Sequence, residues 1–412
     1  MERVLGLHEA EEHVKGVCFK TGPPQHLGVE LEFLVCDAAD SHAAVPPHRL
    51  EAALEPLSRP GALPRGSLFT REPGGQVEIS TPPAADLAGC AEIASADLAA
   101  LRQSLDSAGL ALLGRGLDPF RDPARVLDHP RYRAMEAHFD TGGPWGRMMM
   151  RATASVQVSL DSGVDGDGID GYRARWDLVH RLGPVFVAAF ANSPLWQGKP
   201  TGWASTRQAI WSRIDPSRTG APAPSDDPRA GWAAYALDAQ VMCLRRADPE
   251  GWDAPKGLTF RSWLTGGRDE RQPTLDDLDY HLSTLFPPVR PRGWLELRMI
   301  DAQDGDDWLV ATALASTLLD DPDAAEAALA ATDPLVEDGT VAEVWWDRAA
   351  RSGPSDPQLG KSVRACFEAV EASLARGGAP SAVRDAVAEF ARTHAYRGRC
   401  PADDLLAEWG RR

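Results

Sequence analysis

The sequence predicts an α+β fold: a curved, mainly antiparallel sheet with helices on its outer face, closed by a helical C-terminal block. Three observations predict it. Four short segments, "GVELEF" (28–33), "QVEIS" (76–80), "SVQVSLD" (155–161) and "WLELRMID" (294–301), alternate with the side-chain period of a strand. Each backs an apolar face with a polar one that carries acids or amides. Helical periodicity separates the strands early and then runs almost unbroken from about residue 305 onward. A sheet with helices on its apolar side and a water-filled cleft on the other produces this pattern. The expected division is an α+β domain over 1–304 with a helical region, 305–412, packed on it.

Residues 1–20 read as an amphipathic helix without a secretory apolar stretch. Residues 26–36 form the first strand, with Val29, Leu31 and Phe33 on one face and Glu30 and Glu32 on the other. A Pro/Ala/His-rich excursion (38–49) and a short helix (50–58) follow. In "REPGGQVEIS" (71–80) a Gly-Gly turn precedes alternation of Val77 and Ile79 against Gln76 and Glu78. Residues 84–110 predict a long helix stopped by Gly109, and "ALLGRG" a strand after it. "MMMRATASVQVSLD" (148–161) alternates again, Val156, Val158 and Leu160 opposing Thr153, Ser155, Gln157 and Ser159. A helix covers 172–191, a Pro-rich loop 215–230, and "GWAAYALDAQVMCLRR" (231–246) reads as helix. Thr274 is the expected N-cap of the next helix. On the last strand Leu295, Leu297 and Met299 oppose Glu296 and Arg298. Breaks near 321, 333, 354 and 378 divide the terminal helices.

A net charge of −17 disfavours nucleic acid and anionic membranes as partners. No apolar run approaches a membrane span. Six cysteines without a CxxC pair argue against a disulfide framework or zinc site and for a reducing cytoplasm. Arginine far outnumbers lysine, so an anionic substrate would be held by planar, bidentate guanidinium groups.

Glutamates two apart on a strand project from one face about 6–7 Å from each other. Such a pair is costly in a half-buried site unless a cation lies between, and unremarkable on an edge strand facing water. If the four strands are neighbours, Glu30, Glu32, Glu78 and Glu296 line one wall, with Gln76, Ser155, Gln157 and Arg298 beside them. All-oxygen ligands suit Mg²⁺ or Mn²⁺. An acidic wall with an arginine beside it suggests phosphoryl transfer from a nucleotide.

The motifs "GVELEF", "EPGGQVEIS", "SVQVSLD", "TRQAIWSRIDPSRTG", "YALD", "TF" and "HLSTLFPPVRPRGWLELRMID" occur in the order seen in the plant-type glutamate–cysteine ligase family. The chain resembles that family over roughly residues 26–301, and within it the actinobacterial, ergothioneine-pathway branch. The resemblance implies a carboxylate–amine ligase with a glutamine synthetase-like sheet, and makes 1–304 the catalytic domain. It implies that ATP phosphorylates the γ-carboxylate of L-glutamate and that the amine of L-cysteine displaces phosphate. By position it implies Glu30, Glu32, Glu78 and Glu296 as ligands of Mg²⁺, and Arg298 as the phosphoryl contact. Glu296 and Arg298 are the expected catalytic pair, and Gln76 joins Arg298 toward the nucleotide. Gln157, Arg207, Arg218, Tyr235 and Trp211 are the expected substrate contacts, Arg218 from a loop that folds over the site. Each of the two arginines also reads as a surface residue, and Tyr235 and Trp211 also as packing. Glu72 is a further metal candidate, and His281 either a family position or helix packing. "AQVMCLRR" departs from the plant pattern after "YALD".

"GPSDPQLGKS" (353–362) is not a phosphate-binding loop: six residues separate its glycines and no strand precedes it. His8 with His13, and His129 with His138, lack metal-site spacing. Rival readings keep the wall but change the chemistry: γ-glutamyl transfer to another amine, a metal-dependent hydrolase that needs neither ATP nor Arg298, or a dead homologue that binds a partner. The oligomeric state is open, with a monomer favoured. Because Glu296 sits among other carboxylates in this reading, Glu296→Gln is expected to abolish ligation while sparing or raising stability.

Overall fold

The computed structural model describes residues 5–59, 61–247, 251–266 and 271–411. Residues 1–4 of the expected first helix lie outside them, and that helix runs Leu7–Cys18. Seven strands form one open sheet: β1 (Leu27–Asp37), β2 (Leu68–Arg71), β3 (Val77–Ser80), β4 (Leu110–Leu113), β5 (Ser155–Asp161), β6 (Val289–Pro291) and β7 (Trp294–Asp301). Their spatial order is β2-β3-β1-β5-β7-β6, with β4 on the C-terminal half of β1, and the strand pairs are antiparallel.

One face of the sheet is apolar. Leu31, Ile79, Val158 and Leu297 are buried there against helices Leu87–Asp106, Tyr172–Ala189 and Trp308–Asp320. Full burial of each such side chain contributes about 1.5–3 kcal/mol. Slipping a strand by one residue would turn the whole set into solvent, so the register is fixed. Phe367 and Phe390 of the terminal helices belong to the same core as Leu297 and Ile300, and the core is continuous across residue 305. A second core of Met135, Phe139, Met149, Met150, Ile210 and Ile214 stands apart from it. It is built by helices Pro130–Asp140, Trp145–Ala152 and Thr206–Trp211.

Four local expectations change. Residues 148–152 are the end of a helix, and extended structure begins only after the β-branched Thr153. The helix beginning at Pro228 stops at Asp238, and the next residues are extended, with Gln240 bridged to Thr259 and Cys243 to Asp253. The proline-flanked Val289–Pro291 forms an edge strand, where a missing N–H is tolerated. A two-residue hairpin, Val336–Glu337 with Thr340–Val341, interrupts the C-terminal helices.

Candidate active site

Register lays the polar face out in rungs. Thr70 pairs Glu78, which pairs Glu32. Leu68, Ser80, Glu30 and Gln157 form the next rung. Gly28, Ser159, Glu296 and Arg290 form the third. Directly opposed residues have Cα atoms about 4.5–5.5 Å apart, so Glu32 and Glu78 are like charges set side by side. A β-bulge breaks the parity of β7: Val158 pairs Leu297 but Val156 pairs Ile300, so Arg298 and Met299 share the place opposite Gln157. The bulge restores Asp301, opposite Ser155, to polar surroundings, where Asn192 N–H and the hydroxyls of Ser193 and Ser205 donate to it at 2.7–2.9 Å.

Glu30, Glu32, Glu72 and Glu78 line one cavity of about 460 Å³ together with Gln157, Arg290, Arg292 and Arg298. Arg131, Tyr132, Trp211, Phe286 and three methionines line it as well. The wall is divided by charge. On the acidic side, burial and then the neighbouring carboxylates raise the proton affinity of these glutamates: Glu30 to about 7, Glu72 to about 8, and Glu78 upward as well. Burial raises Glu32 as well, although Arg207 and Arg298 oppose the shift. On the basic side Glu296 is fully buried. Arg290 donates to its two oxygens at 2.8 and 3.1 Å, Arg298 also bonds it, and Arg292 lies 3.5 Å away. Burial alone would raise Glu296, but the three arginines hold it down at about 2. Gln157 joins the two sides: its amide donates to Glu32 at 2.9 Å and its oxygen accepts from Arg298.

The donor set fits a hard divalent cation. Four carboxylates line one cavity and keep a raised proton affinity although Arg298 opposes the shift of each, which is the deficit that Mg²⁺ or Mn²⁺ relieves. As the side chains stand, no three carboxylate, His or Cys groups among the described residues enclose one point. Glu32 is held by Ser155 and Gln157, and Glu78 by Thr70 and Ser80.

The expected site residues separate into two groups. Glu30, Glu32, Glu78, Gln157, Arg298 and Trp211 line the cavity, with Glu72. Glu296 does not, because its carboxylate is consumed by the arginines beneath the surface. Gln76 lines the cavity as well, but its amide donates to Thr153 O at 2.9 Å and accepts from Gly74 N–H at 3.0 Å. Arg207 is buried behind the wall, donating to Arg298 O at 2.8 Å and lying over the Trp211 ring. Arg218 is wholly buried, not on a mobile loop: it bonds Asp215 at 2.8 Å, Thr284 O at 2.9 Å and Gln240 O. Tyr235 stacks on Trp232 away from the cavity, and His281 is a packed, neutral residue whose ring bonds Ala236 O at 2.8 Å. The residues that sequence reasoning did not single out are Arg131, Arg290 and Arg292. The signal for Arg290 was pairing: only an antiparallel partner to β7 sets it opposite Glu296.

An open antiparallel sheet that joins a carboxylate wall to an arginine cluster is the architecture of a carboxylate–amine ligase. The fold is shared with glutamate–cysteine ligase from Francisella tularensis, solved in complex with AMP (TM-score 0.52, 14% identity, 94% of this chain and 85% of that one). It is also shared with a bifunctional glutathione synthetase from Pasteurella multocida (TM-score 0.50, 14% identity, 98% and 52%). The model of glutamate–cysteine ligase family 2 (GCS2) matches residues 26–411, and the chain belongs to that family. It is 39% identical over 403 residues to the glutamate–cysteine ligase EgtA of Mycobacterium tuberculosis H37Rv, covering 96% of this chain and 89% of the relative. It is 33% identical over 362 residues to the chloroplastic glutamate–cysteine ligase of Arabidopsis thaliana, covering 82% and 66%.

Proposed function

We propose that this chain is an ATP-dependent glutamate–cysteine ligase forming γ-glutamylcysteine, ADP and phosphate, and that it supplies ergothioneine synthesis. In the first step a γ-carboxylate oxygen of glutamate bonds to the γ-phosphorus of ATP, and the bond from that phosphorus to the ADP oxygen breaks. In the second, the cysteine nitrogen bonds to the acyl carbon, phosphate leaves with its oxygen, and the amine gives up a proton. The observation that carries this reading is the divided wall: Glu30, Glu32, Glu72 and Glu78 keep a raised proton affinity although Arg298 opposes the shift of each, and they face arginines that share the carboxylate of Glu296.

Arg298 holds the transferring phosphoryl group, and its buried Nε has no hydrogen-bond partner among the described residues. Arg290 and Arg292 face the remaining phosphates, with Glu296 spacing the three guanidinium groups. Gln157 fixes Arg298 relative to Glu32, and Arg207 braces its backbone from behind. Glu30, Glu32 and Glu78, with Glu72, would hold Mg²⁺ or Mn²⁺, which when bound screens the repulsion between carboxylate and triphosphate. Trp211 and the methionines form the apolar end of the cavity, suited to the thiol side chain. The partners in this reading are small molecules, L-glutamate, L-cysteine and ATP, and the compartment is the cytoplasm. Among the described residues no helix is long and apolar enough to cross a membrane.

The test is phosphate release from Mg-ATP and glutamate across a panel of amines. The reading expects release that depends on cysteine. Release driven by ammonia or a polyamine in its place would reassign the second substrate. Hydrolysis without nucleotide would make the wall that of a hydrolase.

A further inference from the structure

A cavity of about 370 Å³ lies on the helical side of the sheet and shares no lining residue with the carboxylate cavity. Helix Tyr172–Ala189, helix Glu343–Ser352, the two-residue hairpin and the loop 221–226 all contribute to its walls. Two partly exposed indoles, Trp176 and Trp346, supply its aromatic surface. Seating Trp346 requires a glycine in the middle of a helix, because a Cβ on Gly183 would meet the ring at 2.1 Å. Glycine weakens a helix interior, so the close approach of this ring comes at the expense of local stability.

His180 lines the cavity beside Trp176, the ring centroids 4.3 Å apart. Its Nδ1 lies 2.7 Å from Trp176 O, and a carbonyl oxygen only accepts, so Nδ1 carries the proton. Burial lowers the proton affinity of the ring and leaves Nε2 as a bare acceptor. That Nε2 is buried and has no hydrogen-bond partner among the described residues. A buried acceptor left unpaired is costly, and an incoming N–H relieves it. The rim carries charge of both signs. Arg181 is bound to Asp177 at 2.6 Å. Arg173, over the Tyr172 ring at 4.5 Å, and Asp226, on the loop, are exposed, and neither forms an ion pair among the described residues.

Aromatic walls, an unpaired acceptor and opposite charges at the rim complement a planar donor ring on a zwitterion. We infer that this cavity binds a free α-amino acid whose aromatic side chain carries a ring N–H, an indole or an imidazole. The ring N–H donates to His180 Nε2, the ring lies against Trp176 and Trp346, the carboxylate meets Arg173 and the ammonium meets Asp226. The site stands apart from the ligation chemistry, and the inference does not depend on the proposed reaction.

Binding of L-tryptophan and of L-histidine to the full chain would be measured by calorimetry at about pH 8, where free imidazole is neutral. Each is compared with its ring-N-methylated form, which lacks the N–H. The expected result is that at least one of the two binds and that methylation weakens it roughly 10-fold or more. His180→Leu should erase that difference, so that parent and methylated forms bind alike. Arg173→Ala, at an exposed position, should weaken binding roughly 5-fold and keep the difference. Mg-ATP and glutamate should leave the affinity unchanged. Failure of both amino acids to bind wild type at millimolar concentration overturns the inference, as does methylation without effect. Binding to Arg173→Ala at full strength overturns it too, and so does an N–H preference that survives His180→Leu. Displacement by Mg-ATP and glutamate would put the ligand in the carboxylate cavity and overturn it as well.

Discussion

Gln157 and Glu32 are joined across β1 and β5, the carboxamide donating to the carboxylate at 2.9 Å while its own oxygen accepts from Arg298. One neutral side chain thereby sets the distance between the acidic and basic parts of the wall. Gln157→Leu removes both bonds and leaves Glu32 with Ser155 alone. The expected result is a folded protein destabilised by about 1–3 kcal/mol in chemical denaturation, with kcat for ligation reduced well beyond that of a surface control.

Glu296 and Glu78 lie on one face of one sheet, yet their removal has opposite consequences. Neutralising Glu296 strands three arginines around a buried amide, so Glu296→Gln should cost about 3–5 kcal/mol and abolish ligation. This reverses the sparing effect expected from sequence, because the neighbours of Glu296 are cations. Glu78→Gln removes a repulsive partner of Glu32 and should hold or raise the melting temperature of the metal-free protein while abolishing ligation. Thermal unfolding of the two variants side by side checks the pair.

Arg207 separates a brace from a substrate contact. If it held glutamate directly, Arg207→Met would chiefly raise KM for glutamate. Bonded instead to Arg298 O behind the bulge, it should act through the position of Arg298. The expected outcome is a large fall in kcat with little change in any KM, read from steady-state kinetics with each substrate varied in turn.

Stability should also carry the mark of His281. Burial pushes its imidazole from the ordinary 6.5 down to about 3. Between those values the unfolded chain binds a proton that the native chain refuses. The contribution is therefore fully present above about pH 6.5, is lost as pH falls through the window, and levels off near pH 3, with a slope of up to about 1.4 kcal/mol per unit. His281→Gln, whose amide can still donate to Ala236 O, should flatten this part of the stability profile in urea melts at stepped pH.

Period-two alternation was sufficient to locate β1, β3 and β7 and, apart from the helical residues 148–152, β5, because one buried face forces it. It also put Glu30 and Glu32 on one face of β1 and Glu78 on the polar face of β3, but only the pairing of the two strands joins those faces into one surface. Alternation cannot register a bulge, which adds a residue without altering composition, so the surroundings of Arg298 and Asp301 were not legible. Nor can it say which cation meets which anion. Arg290 became visible only through its pairing with Glu296, and Arg218 looked like a loop residue because Asp215, Thr284 and Gln240 are distant in sequence or unremarkable in type. Burial of an arginine is a tertiary fact.

The central claim is that this cavity activates the γ-carboxylate of glutamate by phosphorylation. The most direct measurement follows heavy oxygen from γ-carboxylate-labelled glutamate during turnover with ATP and cysteine, reading the phosphate by mass spectrometry. The account predicts that each phosphate released carries one labelled oxygen taken from glutamate. Phosphate released in step with γ-glutamylcysteine but free of label would contradict it.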